Sequence, residues 1–446
     1  MRNKILVLAI ALSLVNVCFA GSNVPSTRAL ARKAVSENSS ESAAAVAALR
    51  ARGQNGLDDF VAEFASELKD RELEINAAVP RPATPEWHRI SEALDQVCQQ
   101  RDCYASRLFW YTDLNAAKAA AKVSGKPILS LRLLGKLEEE LTCANSRFFR
   151  LILYANAEVS ALLREHFILH WQSVRPVPKV TIDFGDGRKL ERTLTGNSIH
   201  YVLDSDGRPI DALPGLYGPQ AFVRELTRAE RIARECMASQ SNDERAAILR
   251  QYHSSRINEL AALWAADVTK AKISTPPSRE PATSSGAAPR AEVAAGAALS
   301  KSVIERPILK GISDKPKLLD PAAEEAAWGR IAQLHAADAS LDAATKLLMR
   351  AKNLKVYGGS EPAARAALER TVKDLERVVA EDTARNEFIL HSKIHEWFLS
   401  GDAAINLEAL NERVYRELFL TPSSDPWLGL FPVDAYSGIE NDGVKK

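Results

Sequence analysis

Gly196-Asn197-Ser198-Ile199-His200-Tyr201-Val202-Leu203-Asp204-Ser205-Asp206-Gly207 is the stretch that decides the fold. Ile199 to Leu203 is a short run of β-branched, aromatic and apolar residues, and Asp206-Gly207 supplies a turn, so the run reads as a strand entering a hairpin. Asp204-Ser205-Asp206-Gly207 opens like a calcium loop, but no glutamate follows at the spacing such a loop requires, which leaves the turn. Working outward, helices and strands alternate. Asp113 predicts an N-cap for a helix over Leu114 to Val123, and Gly125 its C-terminal stop. Ile128 to Leu134 reads as a buried strand. Phe148, Phe149, Ile152 and Leu153 suggest one helix, and Val159, Leu162 and Leu163 another, leading into a strand from Phe167 to Trp171. Val180 to Phe184 and Arg188 to Leu194 flank Gly185-Asp186-Gly187, a hairpin signal. Gln220 to Met237 predicts a helix that closes the unit. Such an order fits a sheet covered by helices, an α/β or α+β arrangement.

Cys143-Ala-Asn-Ser146 falls between a predicted strand and a predicted helix. Taken with Trp110-Tyr-Thr-Asp113, Gly125-Lys-Pro-Ile-Leu129 and the Gly196 to Gly207 stretch, it resembles the thioredoxin-like superfamily over residues 106–240. The resemblance implies a thioredoxin-like domain with Cys143 at a helix N-terminus, where unpaired N–H groups favour a thiolate. It makes Cys143 and Ser146 the candidate catalytic pair, and Asn197 and Ser198 the candidate substrate groove. Ser146 stands where the second cysteine of the motif belongs, and Ser198 where its cis-proline belongs. A C-x-x-S site can form a mixed disulfide but has no neighbouring thiol to resolve it. The gap from Leu129 to Cys143 is several residues longer than in thioredoxins, which predicts a displaced cysteine. Glu138-Glu139-Glu140 lies just upstream, and nearby carboxylates raise a thiol pKa.

The first twenty residues read as a secretory signal. Arg2 and Lys4 precede an apolar run from Ile5 to Val17, and Cys18-Phe19-Ala20 sets cleavage after Ala20. A periplasmic or secreted protein is expected, with exported proteins as partners and no membrane span. Four cysteines remain, Cys98, Cys103, Cys143 and Cys236, which could pair in three ways. A net charge of +1 with no basic stripe argues against nucleic acid. No phosphate-binding loop, dinucleotide glycine fingerprint or G-x-S-x-G motif is present, and neither cofactor nor metal is expected.

The flanks read as helical. Residues 21–105 form an N-terminal region in which Leu57, Phe60, Val61, Phe64 and Leu68 keep a helical rhythm. Residues 241–271 extend the thioredoxin-like unit as a further helix. Residues 272–300 are rich in Pro, Ala and Ser and read as a disordered linker. Residues 301–432 form a helical C-terminal domain, and 433–446 a tail. His391-Ser-Lys-Ile-His395 has the i, i+4 spacing of a metal pair, and Glu396 follows. Leu399 stands where a zincin motif has its second histidine, and alignment with Phe388 and Phe398 makes a packing face the simpler reading. His166 and His170 are poorly placed to chelate if they share a strand. The expected function is a protein-binding or scaffolding module on a thioredoxin fold, not a self-contained dithiol reductase. The alternative is a monothiol protein that forms mixed disulfides through Cys143; if the chain is an enzyme, the chemistry is thiol–disulfide exchange.

Overall fold

The computed structural model describes residues 27–194, 196–279, 322–359, 362–401, 406–428, 430 and 438–444. The expected signal segment, the linker beyond residue 279 and half of the tail lie outside the described residues. Within them the architecture mixes helices with one five-stranded sheet and a separate hairpin.

The sheet is built from β1 (Trp110–Tyr111), β2 (Ile128–Leu134), β3 (Ile168–Arg175), β6 (Ser198–Leu203) and β7 (Pro209–Pro214). Its spatial order is β1-β3-β2-β6-β7. The first three strands run parallel; β6 is antiparallel to β2, with Leu129 opposite Val202 and Leu131 opposite His200, and β7 is antiparallel to β6. Every residue of β2, β6 and β7 is buried. Helices on both faces explain why these strands read as near-continuous apolar runs and not as alternating ones. The hairpin β4 (Lys179–Asp183) and β5 (Lys189–Thr193) is inserted between β3 and β6 and is largely exposed. Gly185 and Gly187 both take positive φ at its tip, the conformation that glycine adopts at no steric cost.

Among the described residues, five helices and a four-residue helical turn at Cys103–Ser106 precede the sheet, the helices being α1 (Thr27–Ala34), α2 (Ser39–Ala51), α3 (Gln54–Glu63), α4 (Ala65–Asn76) and α5 (Pro85–Cys98). The predicted helix through Leu57 and Leu68 is broken between α3 and α4, where Phe64 leaves helical geometry at φ −105° and ψ 25°. Leu57, Phe60, Phe64 and Leu68 nevertheless share one apolar cluster. Cys98 and Cys103 are joined in a disulfide at the end of α5, and Cys143 and Cys236 stay unbridged as buried free thiols, so a single pair of the four closes.

The sheet is covered by α6 (Leu114–Ser124), α7 (Ala144–Phe148), α8 (Ala157–His166), α9 (Pro219–Ala238) and α10 (Asn242–Lys270). Asp113 caps α6 by accepting a hydrogen bond from the Ala116 N–H, and Gly125 ends it at φ +67°, as the sequence predicts. Beyond the linker come α11 (Ala322–Leu334), α12 (Ala343–Lys352) and α13 (Pro362–Arg385). A π-helical turn, Asn386–His391, links α13 to α14 (Ser392–Leu399), and α15 (Leu407–Arg413) runs into a second one at Val414–Leu418. The apolar core that starts at the sheet continues without interruption through Val379, Ile394, Leu410 and Val414. The C-terminal helices are thus packed on the sheet as one hydrophobic body.

Candidate functional site

Cys143 follows the end of β2 after an excursion from Gly135 to Thr142. Gly135 turns the chain at φ +75°, Leu137 is buried, and the Cys143 N–H returns to bond the Leu134 carbonyl at 3.3 Å. The extra residues therefore loop out and close on themselves. Because the loop's two ends meet at one hydrogen bond, Cys143 stands beside the end of β2. Cys143 is the N-cap residue of α7, yet its side chain caps nothing.

The sulfur is turned instead to two hydroxyls. Cys143 Sγ lies 3.0 Å from Ser146 Oγ and 3.1 Å from Ser198 Oγ, and the two oxygens are 3.3 Å apart. All three residues are fully buried. The structure thus brings together Cys143, Ser146 and Ser198, although Ser198 lies 55 positions from the cysteine. Asn197, the other groove candidate, is buried beside them and engaged with the C-terminal segment. Arg147 is half-buried one turn on, close enough to Cys143 for the two to interact electrostatically. Burial pushes the Arg147 guanidinium below its ordinary range, and its Nε and Nη2 make no hydrogen bond. Glu140, from the upstream acidic run, is engaged elsewhere by Lys352 at 2.9 Å and Arg101 at 3.4 Å.

What shuts this triad from solvent is a strap made by residues 407–425. Glu408 accepts a hydrogen bond at 2.7 Å from Arg132, a fully buried arginine on β2. Tyr201 on β6 donates to Asn411 Oδ1 at 3.3 Å. The Tyr415 hydroxyl donates to the Asn197 carbonyl at 3.0 Å, and Asn197 donates from its side chain to Thr421. Arg175 at the end of β3 donates to the carbonyls of Asp425 and Thr421 at 2.8 and 3.1 Å. The strap's own Leu410, Val414, Tyr415, Leu418 and Phe419 are buried. Arg132 and Tyr415 were not singled out by the sequence; a charge inside a predicted apolar strand was the available signal. Buried arginines are rare unless paired, so Arg132 called for an acid somewhere in the chain.

Two more histidines serve the sheet. Ser130 Oγ lies 2.8 Å from His170 Nδ1, and Tyr154 Oη 2.7 Å from His200 Nε2. Burial lowers both imidazoles to about 3, with the Arg132 charge adding to the effect at His170, so both are neutral. His166 ends α8 and does not share the strand with His170.

The His391 and His395 pair is more deeply placed than a packing face alone. Both are fully buried, and they face Asp211 of β7 and His253 of α10. His391 Nε2 is 2.9 Å from Asp211 Oδ1, and His395 Nδ1 is 2.8 Å from His253 Nδ1. The Tyr252 hydroxyl donates to Asp211 Oδ2 at 2.5 Å. Glu396, the acid adjacent in sequence, points away and pairs with Lys393 at 2.7 Å. Neither Asp211 nor His253 carries a recognisable motif; each sits alone in an ordinary strand or helix.

No protein-family model matches the chain, and neither a curated protein nor a solved structure does.

Proposed function

We propose that this chain is an exported thioredoxin-like protein that works as a binding scaffold with its thiol sealed. The thioredoxin-like assignment is supported by the strand order β1-β3-β2-β6-β7, parallel then antiparallel, with the cysteine at the start of the helix after β2. It is further supported by Ser198, which opens β6 and faces the cysteine across 3.1 Å. The observation that carries the scaffold reading is the strap. The face where a thioredoxin-like protein would take a client is filled by this chain's own residues 407–425, and Tyr415 holds the carbonyl of the groove residue Asn197. A fold that binds a segment of its own in this way has the geometry of a binding surface, and its cysteine has neither solvent nor a second thiol beside it. Ser146 and Ser198 then act as polar packing that satisfies the thiol, not as catalytic groups.

A specific feature favours the monothiol alternative. The Arg147 guanidinium beside Cys143 would stabilise a thiolate if the strap opened. Incubating the native chain with oxidised glutathione and mapping adducts by mass separates the two readings. No adduct at Cys143 until denaturant is added supports the sealed scaffold. Stoichiometric glutathionylation of folded protein at Cys143 overturns it in favour of mixed-disulfide chemistry.

A further inference from the structure

Three elements remote in sequence meet in one buried cluster: β7 through Asp211, α10 through His253, and the turn and helix that carry His391 and His395. All four residues are buried. Asp211, His391 and His395 each offer one donor atom, and these atoms lie within 4.8 Å of one another. His253 stands outside that mutually close set, its Nδ1 lying 2.8 Å from His395 Nδ1. Each of His391 and His395 turns its hydrogen-bonding nitrogen inward to the cluster, while His391 Nδ1 and His395 Nε2 find no partner.

The spacing suits a small tetrahedral cation. With metal–nitrogen bonds of 2.0–2.1 Å, neighbouring ligand atoms on a tetrahedron stand about 3.3 Å apart. The separations Asp211 Oδ1 to His391 Nε2, His253 Nδ1 to His395 Nδ1 and His395 Nδ1 to Asp211 Oδ1 are 2.9, 2.8 and 3.9 Å, on either side of that value. A nitrogen–nitrogen approach of 2.8 Å between two imidazoles needs something shared, either a proton or a cation. The surroundings are those of a fixed site. The His253 ring stacks on Phe398 at 4.2 Å and 7°, and Tyr252 orients the Asp211 carboxylate through its other oxygen. Outer partners of this kind hold ligands in place.

We propose that Asp211, His391 and His395 hold a zinc ion, with His253 drawn in from beside His395 as the fourth ligand, and that this closed site fastens β7 and α10 to the C-terminal helices. Imidazole and carboxylate donors suit zinc, and four protein ligands with no open position define a structural centre and not a catalytic one. Because His391 and His395 reach the pocket only when the C-terminal helices are docked, metal binding and docking are one event.

The test uses the full chain without a histidine tag, stripped with chelator and titrated with Zn²⁺ or Co²⁺. The expected result is uptake of about one equivalent and a higher melting temperature with metal. The cobalt form should show intense visible bands of a tetrahedral site without thiolate charge transfer. His395→Gln and Asp211→Asn should lose the metal, while His166→Gln, at a half-exposed ring outside the cluster, should keep it. A stripped chain that stays folded and takes up neither metal overturns the proposal, as does uptake unchanged in folded His395→Gln. Should both variants fail to fold, X-ray absorption of the zinc-loaded native chain decides. A four-coordinate shell dominated by imidazole supports the site; sulfur ligands or a hydrated six-coordinate ion overturn it.

Discussion

Replacing Tyr415 by alanine should open the strap and leave the sheet intact. The ring is 1% exposed, packs edge-on against Phe419 at 5.2 Å, and holds the Asn197 carbonyl through its hydroxyl. Truncating a buried aromatic of this size costs roughly 3–5 kcal/mol, the lost hydrogen bond included. That loss falls on the closed state, so the free energy needed to lift residues 407–425 drops by the same amount. If alkylation of Cys143 proceeds through an opening that recloses quickly, its rate follows the open population. At about 1.4 kcal/mol per factor of ten, labelling should accelerate roughly a hundred- to several-thousand-fold. The assay is iodoacetamide labelling of native protein with mass-spectrometric assignment of each thiol. Cys236 on α9 is the internal reference, because it is buried away from the strap and burial pushes its thiol up to about 11. The expected outcome is fast labelling at Cys143 and unchanged labelling at Cys236. Parallel acceleration at both thiols would mean global unfolding, and an unchanged Cys143 rate would mean that the strap does not control access; either result refutes the reasoning.

Three other perturbations have defined outcomes. Gly218 sits where α9 begins, and a Cβ there would lie 2.2 Å from the Asp338 carbonyl oxygen, so Gly218→Ala should destabilise the chain by about 1–3 kcal/mol in urea unfolding. Mutating Cys98 and Cys103 together to alanine should lower stability by about 2 kcal/mol, the loop entropy for a closure of five residues in sequence, read from the denaturation midpoint at constant slope. The third concerns pH: His170 and His200 are held neutral down to about 3, below their ordinary value of 6.5, so the unfolded chain binds more protons than the native one in that window. Their contribution is complete above pH 6.5 and is lost as pH falls, at up to about 1.4 kcal/mol per pH unit for each ring; His200→Gln should flatten the stability profile between pH 6.5 and 4, and an unchanged slope would show that His200 is charged in the native state.

Much of the central unit was legible because its signals are local. Ile128–Leu134 emerges with the predicted bounds because a buried parallel strand is a continuous apolar run, and Asp113 and Gly125 mark α6 through capping chemistry that depends on a few neighbouring residues. The hairpin at Gly185-Asp186-Gly187 is equally local. What failed to show was the partnership between distant elements. Cys143 and Ser198 could be singled out one at a time, but no spacing rule says that their side chains meet. Arg132 finds its acid 276 positions later, and Tyr201 finds Asn411 210 positions later, so neither pairing leaves a periodic trace. The imidazole cluster shows the same division. The i, i+4 pair of His391 and His395 was visible, whereas the acid nearest in sequence, Glu396, lies on the wrong face of the helix. Asp211 completes the group from a strand whose only unusual feature is a carboxylate between Ile210 and Ala212.

The strap also sets an order of events during synthesis. Cys98 and Cys103 are five positions apart and can close as soon as α5 has formed. Cys143 remains open to oxidants and to other thiols until residues 407–425 have been made and have travelled back to the sheet. Contacts of such sequence separation form late and slowly. The nascent chain therefore passes through a period in which a thiol destined for the interior is still chemically available, and the length of that period is set by how quickly the last strap residues arrive. Wrong pairings made in that interval would be locked in by the same docking that protects the correct thiol.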